Sequence, residues 1–157
     1  MLASNSKLTF KRRQEVSLSL LPTDNFMNIG IYIVRPQGKH LRIIYEAKDQ
    51  AKIKNKEKTL MVNEDFIKVG KATNLNSRYK SYKLIFGDNV VFDKVVLFED
   101  VVIMRRFEDI LKEHFKTFRV PSPNNGALLE WMKNITFDKA KSDIIKIYKN
   151  FINDRLY

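Results

Sequence analysis

The stretch from Phe66 to Tyr82, FIKVGKATNLNSRYKSY, constrains the fold more than any other part of the chain. Phe66, Ile67 and Val69 are strand formers and Gly70 punctuates the strand end. Asn74 is placed to cap a helix that opens with Leu75, Asn76, Ser77 and Arg78. Two cations are fixed in this strand–turn–helix unit, Lys68 on the strand and Arg78 near the helix start. The segment 68–83 holds five Lys or Arg and no acid. A positive concavity close to a helix N-terminus is therefore expected, and such a place suits a phosphate.

Upstream, IGIYIVR over 29–35 alternates as a strand. Ile29, Ile31 and Ile33 share one face, and Gly30, Tyr32 and Val34 the other. The missing side chain of Gly30 is expected to leave room for the Tyr32 ring and hydroxyl. On its own, such a tyrosine reads as an ordinary core or surface residue. Over 36–65, Pro36-Gln37-Gly38 marks a turn, LRIIYEA a short strand and KDQAKIKNKEK a charged loop or helix. Residues 39–58 carry seven Lys or Arg against three acids. The simplest reading is a basic hairpin or loop inserted within the sheet, serving either as a wider nucleic-acid contact or as a solvated loop.

Past Arg78 the helix runs through Tyr79 and Tyr82 towards Phe86 and stops at Gly87-Asp88-Asn89. VVFDKVVLFE over 90–99 is expected as a third central strand. Asp100 caps the next helix, VVIMRRFEDILKEHFKTF. At 100° per residue, Glu108 falls on the same side as Val101, Met104, Leu111 and Phe115. A carboxylate among apolar residues is costly unless it is paired or binds a cation. Its bland reading is a Glu at the edge of the core stripe, with its head reaching solvent or paired with an Arg, and His114 on the flank reads as a half-buried structural histidine. Pro121 to Gly126 is a loop in which Asn-Gly is itself a turn signal. Glu130 and Trp131 lie on a short apolar segment, with Trp131, the one tryptophan, in the core. A last helix spans 137–157, its apolar face lined by Ala140, Ile144, Ile147 and Phe151.

A chain of 157 residues with 44% hydrophobic and 11% aromatic content is one globular domain with a sizeable core. The absence of Cys rules out a disulfide scaffold, cysteine-ligated zinc and a thiol nucleophile, and it fits a reducing, intracellular compartment (cytoplasm or nucleus of a host cell). No apolar run is long enough for a membrane span. The N-terminal stretch, with its Lys11-Arg12-Arg13 cluster, does not read as a secretory signal. A net charge of +11 points to a polyanionic partner, nucleic acid first, with a merely solvated basic surface as the plain alternative.

Gly30-Ile31-Tyr32, the strand ending Lys68-Val69-Gly70, Asn74-Leu75, Arg78, Glu108 in RRFEDILKEHF, and Arg119-Val120 followed by Glu130-Trp131 together resemble a GIY-YIG nuclease domain. The resemblance is to the phage and virus subgroup with K-I-G in place of Y-I-G, and it covers about residues 28 to 135. Tyr32 and Lys68 stand 36 positions apart, a longer gap than is usual in that family. The resemblance implies an α/β (α+β) fold with a small, mainly antiparallel sheet flanked by helices. Within it, 1–28 is a basic extension, 29–135 the nuclease-like domain with its insertion at about 36–65, and 136–157 a C-terminal helix packed on the same domain. It implies a divalent-metal-dependent DNA endonuclease with Tyr32, Lys68, Arg78 and Glu108 as catalytic residues. Tyr32 would activate water with the help of nearby cations that lower its pKa, and Lys68 would either be one of these beside Arg78 or itself bind phosphate. Arg78 would grip phosphate oxygens. Glu108 would hold one Mg²⁺ or Mn²⁺. Lys71, Lys80, Lys83, Asn124 and Asn125 are the expected nucleic-acid contacts, and the partner is DNA, bound by a monomer or homodimer with no membrane involved. The alternative is a nucleic-acid-binding module on the same fold that does not cleave.

Overall fold

In a computed structural model, which describes residues 28–44, 60–123 and 125–155, the chain is α+β, with a five-stranded antiparallel sheet, a separate two-stranded sheet and three α-helices among the described residues. The elements are β1 (Ile29–Arg35), β2 (Arg42–Ile44), β3 (Leu60–Val62), β4 (Ile67–Ala72), α1 (Leu75–Phe86), β5 (Val91–Phe98) and α2 (Val101–His114). A 3₁₀ turn (Lys116–Phe118), β6 (Arg119–Pro121), β7 (Leu128–Met132) and α3 (Phe137–Arg155) follow. The main sheet has the order β5-β1-β4-β7-β6, and every pairing in it is antiparallel.

Strand alternation sorts the core onto two faces. Ile31, Ile33, Ile67, Val96, Phe98 and Met132 pack under α2 and α3, against Met104, Phe107, Leu111, Phe115, Ala140, Ile144 and Tyr148. Tyr32, Val34, Ala72, Leu97 and Trp131 pack under α1, against Leu75, Tyr82 and Phe86. The apolar stripe read for α2 is the buried one. Trp131 is core, and Ala140 and Ile144 of α3 are fully buried.

Two expectations change. The segment 90–99 forms β5, which pairs with β1 alone and closes one edge of the sheet. The described parts of the segment between β1 and β4 do not add to the main sheet, because β2 and β3 pair with each other in a separate two-stranded sheet. Its base is tied by Glu64 N–H donating to the Gly38 carbonyl (3.0 Å) and Asn63 Nδ2 donating to the Lys39 carbonyl (3.0 Å), and Val62 is buried beneath α1's face of the sheet. Residues 1–27 and the KDQAKIKNKEK run lie outside the described residues.

Candidate active site

The site is built where β4 and β7 part. Their pairing consists of Ile67 with Met132 and Lys68 with Trp131. Beyond these pairs Val69 and Glu130 line a cleft of about 280 Å³. Glu108 and Lys112 from α2, and Arg119 from β6, complete its charged walls. Alternation along β4 sends Lys68 and Gly70 to the Tyr32 face and Val69 and Lys71 to the α2 face.

On the α2 face, Glu108 is a buried carboxylate, its side chain 6% exposed. Lys71 Nζ lies 2.8 Å from its Oε1 and Lys112 Nζ 3.7 Å from the same oxygen. The other oxygen, Oε2, is buried and has no hydrogen-bond partner among the described residues. Both the burial and the need for a cation follow the sequence expectation, although the partners are lysines and not an arginine. Lys71, expected as a nucleic-acid contact, is instead committed to Glu108, because strand parity points it at α2.

On the other face, Tyr32 stands directly across from Gly70. A β-carbon at Gly70 would lie 2.5 Å from the Tyr32 hydroxyl, so it is Gly70 that makes room for the phenol. Gly30 answers a different need, since a β-carbon there would meet the Val96 carbonyl oxygen at 2.2 Å and the Leu75 side chain at 3.1 Å. The Tyr32 and Tyr82 hydroxyls are 2.9 Å apart, and Phe92 stacks on the Tyr32 ring at 5.0 Å. Burial first, then the charge and hydrogen bond of Tyr82, push the Tyr32 hydroxyl well above the ordinary phenol value. Arg78 pulls it down and Glu130 pushes it further up. The expectation that cations lower this pKa is thus reversed, because desolvation disfavours the phenolate more than Arg78 favours it.

Lys68 lies between the two faces. Its Nζ is 5.7 Å from the centre of the Tyr82 ring and 3.5 Å from Glu130 Oε1. Glu130, read from sequence only as part of a short apolar segment, is the group that joins the faces: it touches Lys68 on one and shares the cleft with Glu108 on the other. Arg119 spans the β6–β7 hairpin, its Nε donating to the Leu129 carbonyl (2.6 Å) and its second terminal nitrogen to that of Leu128 (3.0 Å). This ties down the strand that carries Glu130. Glu130's place in the strand gap has no local sequence signal. The inward direction of Tyr82 does have one, because it lies seven residues after Leu75 on the helix.

At the start of α1, Asn74 accepts from Ser77 N–H at 3.0 Å and from Asn28 Nδ2 at 2.7 Å, while Leu75 N–H donates to the Asn28 carbonyl at 2.9 Å. The cap expected from sequence is present, but it uses amides that a phosphate would want. Anion attraction here therefore rests on side chains. Arg78 and Lys80 are exposed. Lys83 sits 5.3 Å from the centre of the Tyr79 ring and 3.9 Å from Asp88. Asn125 Oδ1 accepts from Ala127 N–H at 2.9 Å, which is turn chemistry. Asn124 lies outside the described residues. His114 is more exposed than expected; its Nε2 meets Asp143 Oδ2 at 3.0 Å.

No cluster of three or more His, Cys, Asp or Glu that could enclose a metal occurs among the described residues. The donor set does fit a hard divalent ion that keeps most of its waters, since such an ion needs only one or two carboxylates, and Glu108 offers an oxygen with no other partner. No helix among the described residues is long and apolar enough to cross a membrane. Comparison with family models, with curated proteins and with solved structures gives no match to this chain.

Proposed function

We propose that the chain is a divalent-metal-dependent DNA endonuclease that hydrolyses phosphodiester bonds, acting on DNA through its basic surface. The observation that carries this reading is Glu108, a carboxylate sealed in the core stripe of α2 beside Lys71 and Lys112, with one oxygen that has no partner among the described residues. A domain that only bound nucleic acid would gain nothing from a buried acid there.

In this reading Glu108 would hold the ion, which when bound would supply Lewis-acid stabilisation of charge on the phosphate and leaving oxygen. Arg78 is exposed on the first turn of α1 and holds non-bridging phosphate oxygens. Lys68 fixes Glu130 and adds positive charge between the two faces. Tyr32, whose hydroxyl stays protonated, serves as a neutral hydrogen-bonding group and not as the acceptor of water's proton. Glu130, with its side chain 32% exposed, has the solvent access that a proton acceptor needs.

A non-cleaving nucleic-acid-binding module is the second reading, favoured by the Lys71–Glu108 contact at 2.8 Å, which neutralises the acid internally. Incubation of supercoiled plasmid with Mg²⁺, Mn²⁺ or EDTA separates the two. Nicking that needs metal and is lost in Glu108→Gln and Arg78→Ala supports the nuclease. A salt-sensitive gel shift without nicking under any condition supports the binding module.

A further inference from the structure

We infer that Lys71 is a built-in counter-ion that occupies Glu108 until a nucleic-acid phosphate draws it away, so that metal binding at Glu108 is coupled to nucleic-acid binding. This rests on the metal-dependent reading above and adds a regulatory step to the same carboxylate.

The ion pair is lopsided. Glu108's side chain is 6% exposed and belongs to a packed helix face, whereas that of Lys71 is 34% exposed. The lysine can swing towards solvent while the carboxylate stays where α2 holds it. The pair is also incomplete. Lys71 and Lys112 both address Oε1, leaving Oε2 buried with no partner among the described residues. A buried carboxylate oxygen without a donor is costly, so the resting arrangement leaves Glu108 short of contacts that a cation at Oε2 would supply.

The surroundings oppose that cation as long as Lys71 stays. An ammonium at 2.8 Å already neutralises Glu108, Lys112 and Arg119 add positive charge to the cleft walls, and Lys68 is engaged with Glu130. A divalent ion entering this place meets like charge at short range, in a partly buried setting where screening is weak. A phosphate reaching the cleft competes with Glu108 for the Lys71 ammonium. Withdrawal of that ammonium removes the nearest repulsion and opens the carboxylate. By linkage, metal must then strengthen nucleic-acid binding by the same factor.

The test is Mn²⁺ binding by the purified full chain, followed by electron paramagnetic resonance of the unbound ion, alone and with a short DNA duplex whose own Mn²⁺ uptake is subtracted. Lys71→Gln keeps a hydrogen-bond donor for Glu108 but removes the charge. It is expected to bind Mn²⁺ about tenfold more tightly than wild type without DNA, a coupling of ordinary allosteric size. Lys71→Arg keeps the charge and is expected to match wild type. The duplex should tighten Mn²⁺ binding in wild type and in Lys71→Arg, and have little effect in Lys71→Gln. The inference is overturned if Lys71→Gln, folded by circular dichroism, binds Mn²⁺ no more tightly than wild type, or if the duplex tightens all three chains equally.

Plasmid cleavage measured alongside keeps the two ideas apart. Wild-type cleavage with no effect of Lys71→Gln on Mn²⁺ leaves the nuclease standing and removes the counter-ion. Tight Mn²⁺ binding only in Lys71→Gln, with no cleavage by any chain, keeps the counter-ion and removes the nuclease.

Discussion

The Tyr32 hydroxyl lies over Gly70, its cross-strand partner, where a β-carbon would stand only 2.5 Å away. Gly70→Ala must therefore push a fully buried ring out of its stack with Phe92, at an expected cost of roughly 1–3 kcal/mol, as for other overpacked cores. Tyr32→Phe removes the nearest clashing atom but not the ring carbon at 2.7 Å. In a double-mutant cycle by urea denaturation, it should recover part of that loss and no more. The raised pKa of Tyr32 has its own consequence for stability. A group whose folded pKa lies above its unfolded value stabilises fully below the unfolded value, here about 10, and this contribution is lost as pH rises beyond it. Alkaline titration followed by phenolate absorbance should show one tyrosine that ionises only with unfolding, and Tyr32→Phe should lose that step and unfold less steeply above this pH. Alternation along 29–35 was enough to place Tyr32 on its face. Which glycine accommodates it was not legible, because that depends on the register between β1 and β4, strands separated by the long intervening segment.

Among the elements, α2 was the most legible from sequence. Its 3.6-residue stripe correctly put Glu108 with Met104, Leu111 and Phe115 inside, and Asp100 caps it through Val102 N–H at 2.7 Å. Strand order was not legible. Nothing local tells β5 that it will sit at an edge, or β2 and β3 that they will pair apart from the main sheet. For the same reason the gap between β4 and β7, and the role it gives Glu130, emerged only with the fold. A tie between helices was equally hidden. Asp143 of α3 meets His114 at the end of α2 at 3.0 Å and Lys139 at 2.9 Å. Burial pushes the Asp143 carboxyl up, but the hydrogen bonds and charges of His114 and Lys139 outweigh it and hold the group below the ordinary carboxylate value. A lowered folded pKa stabilises above the unfolded value, about 4 for Asp, and is lost as pH falls through the folded one. Asp143→Asn should lower the thermal midpoint modestly at neutral pH, and the difference from wild type should close as the melts are repeated into that acid range.

For the whole molecule, a net charge of +11 makes attraction to a polyanion the strongest long-range force available, and the fold decides which cations are free to express it. Lys71 is tied to Glu108, Lys68 to Glu130 and Lys141 to Asp93 at 2.8 Å. Arg78 and Lys80 on the outer side of α1 are exposed. Each phosphate neutralised by such a side chain releases counter-ions and adds about 0.9 to the slope of log affinity against log salt. The double variant Arg78→Ala, Lys80→Ala should therefore reduce that slope by roughly two units on a DNA duplex, measured by fluorescence anisotropy across a salt series. Lys141→Ala, whose charge is already met by the Asp93 carboxylate, should leave the slope nearly unchanged. A slope that falls equally in both variants would mean that the charge acts as a diffuse field around the domain. A fall confined to α1 would place the phosphate track along the helix that follows the Lys68–Gly70 strand, on the Tyr32 face of the sheet.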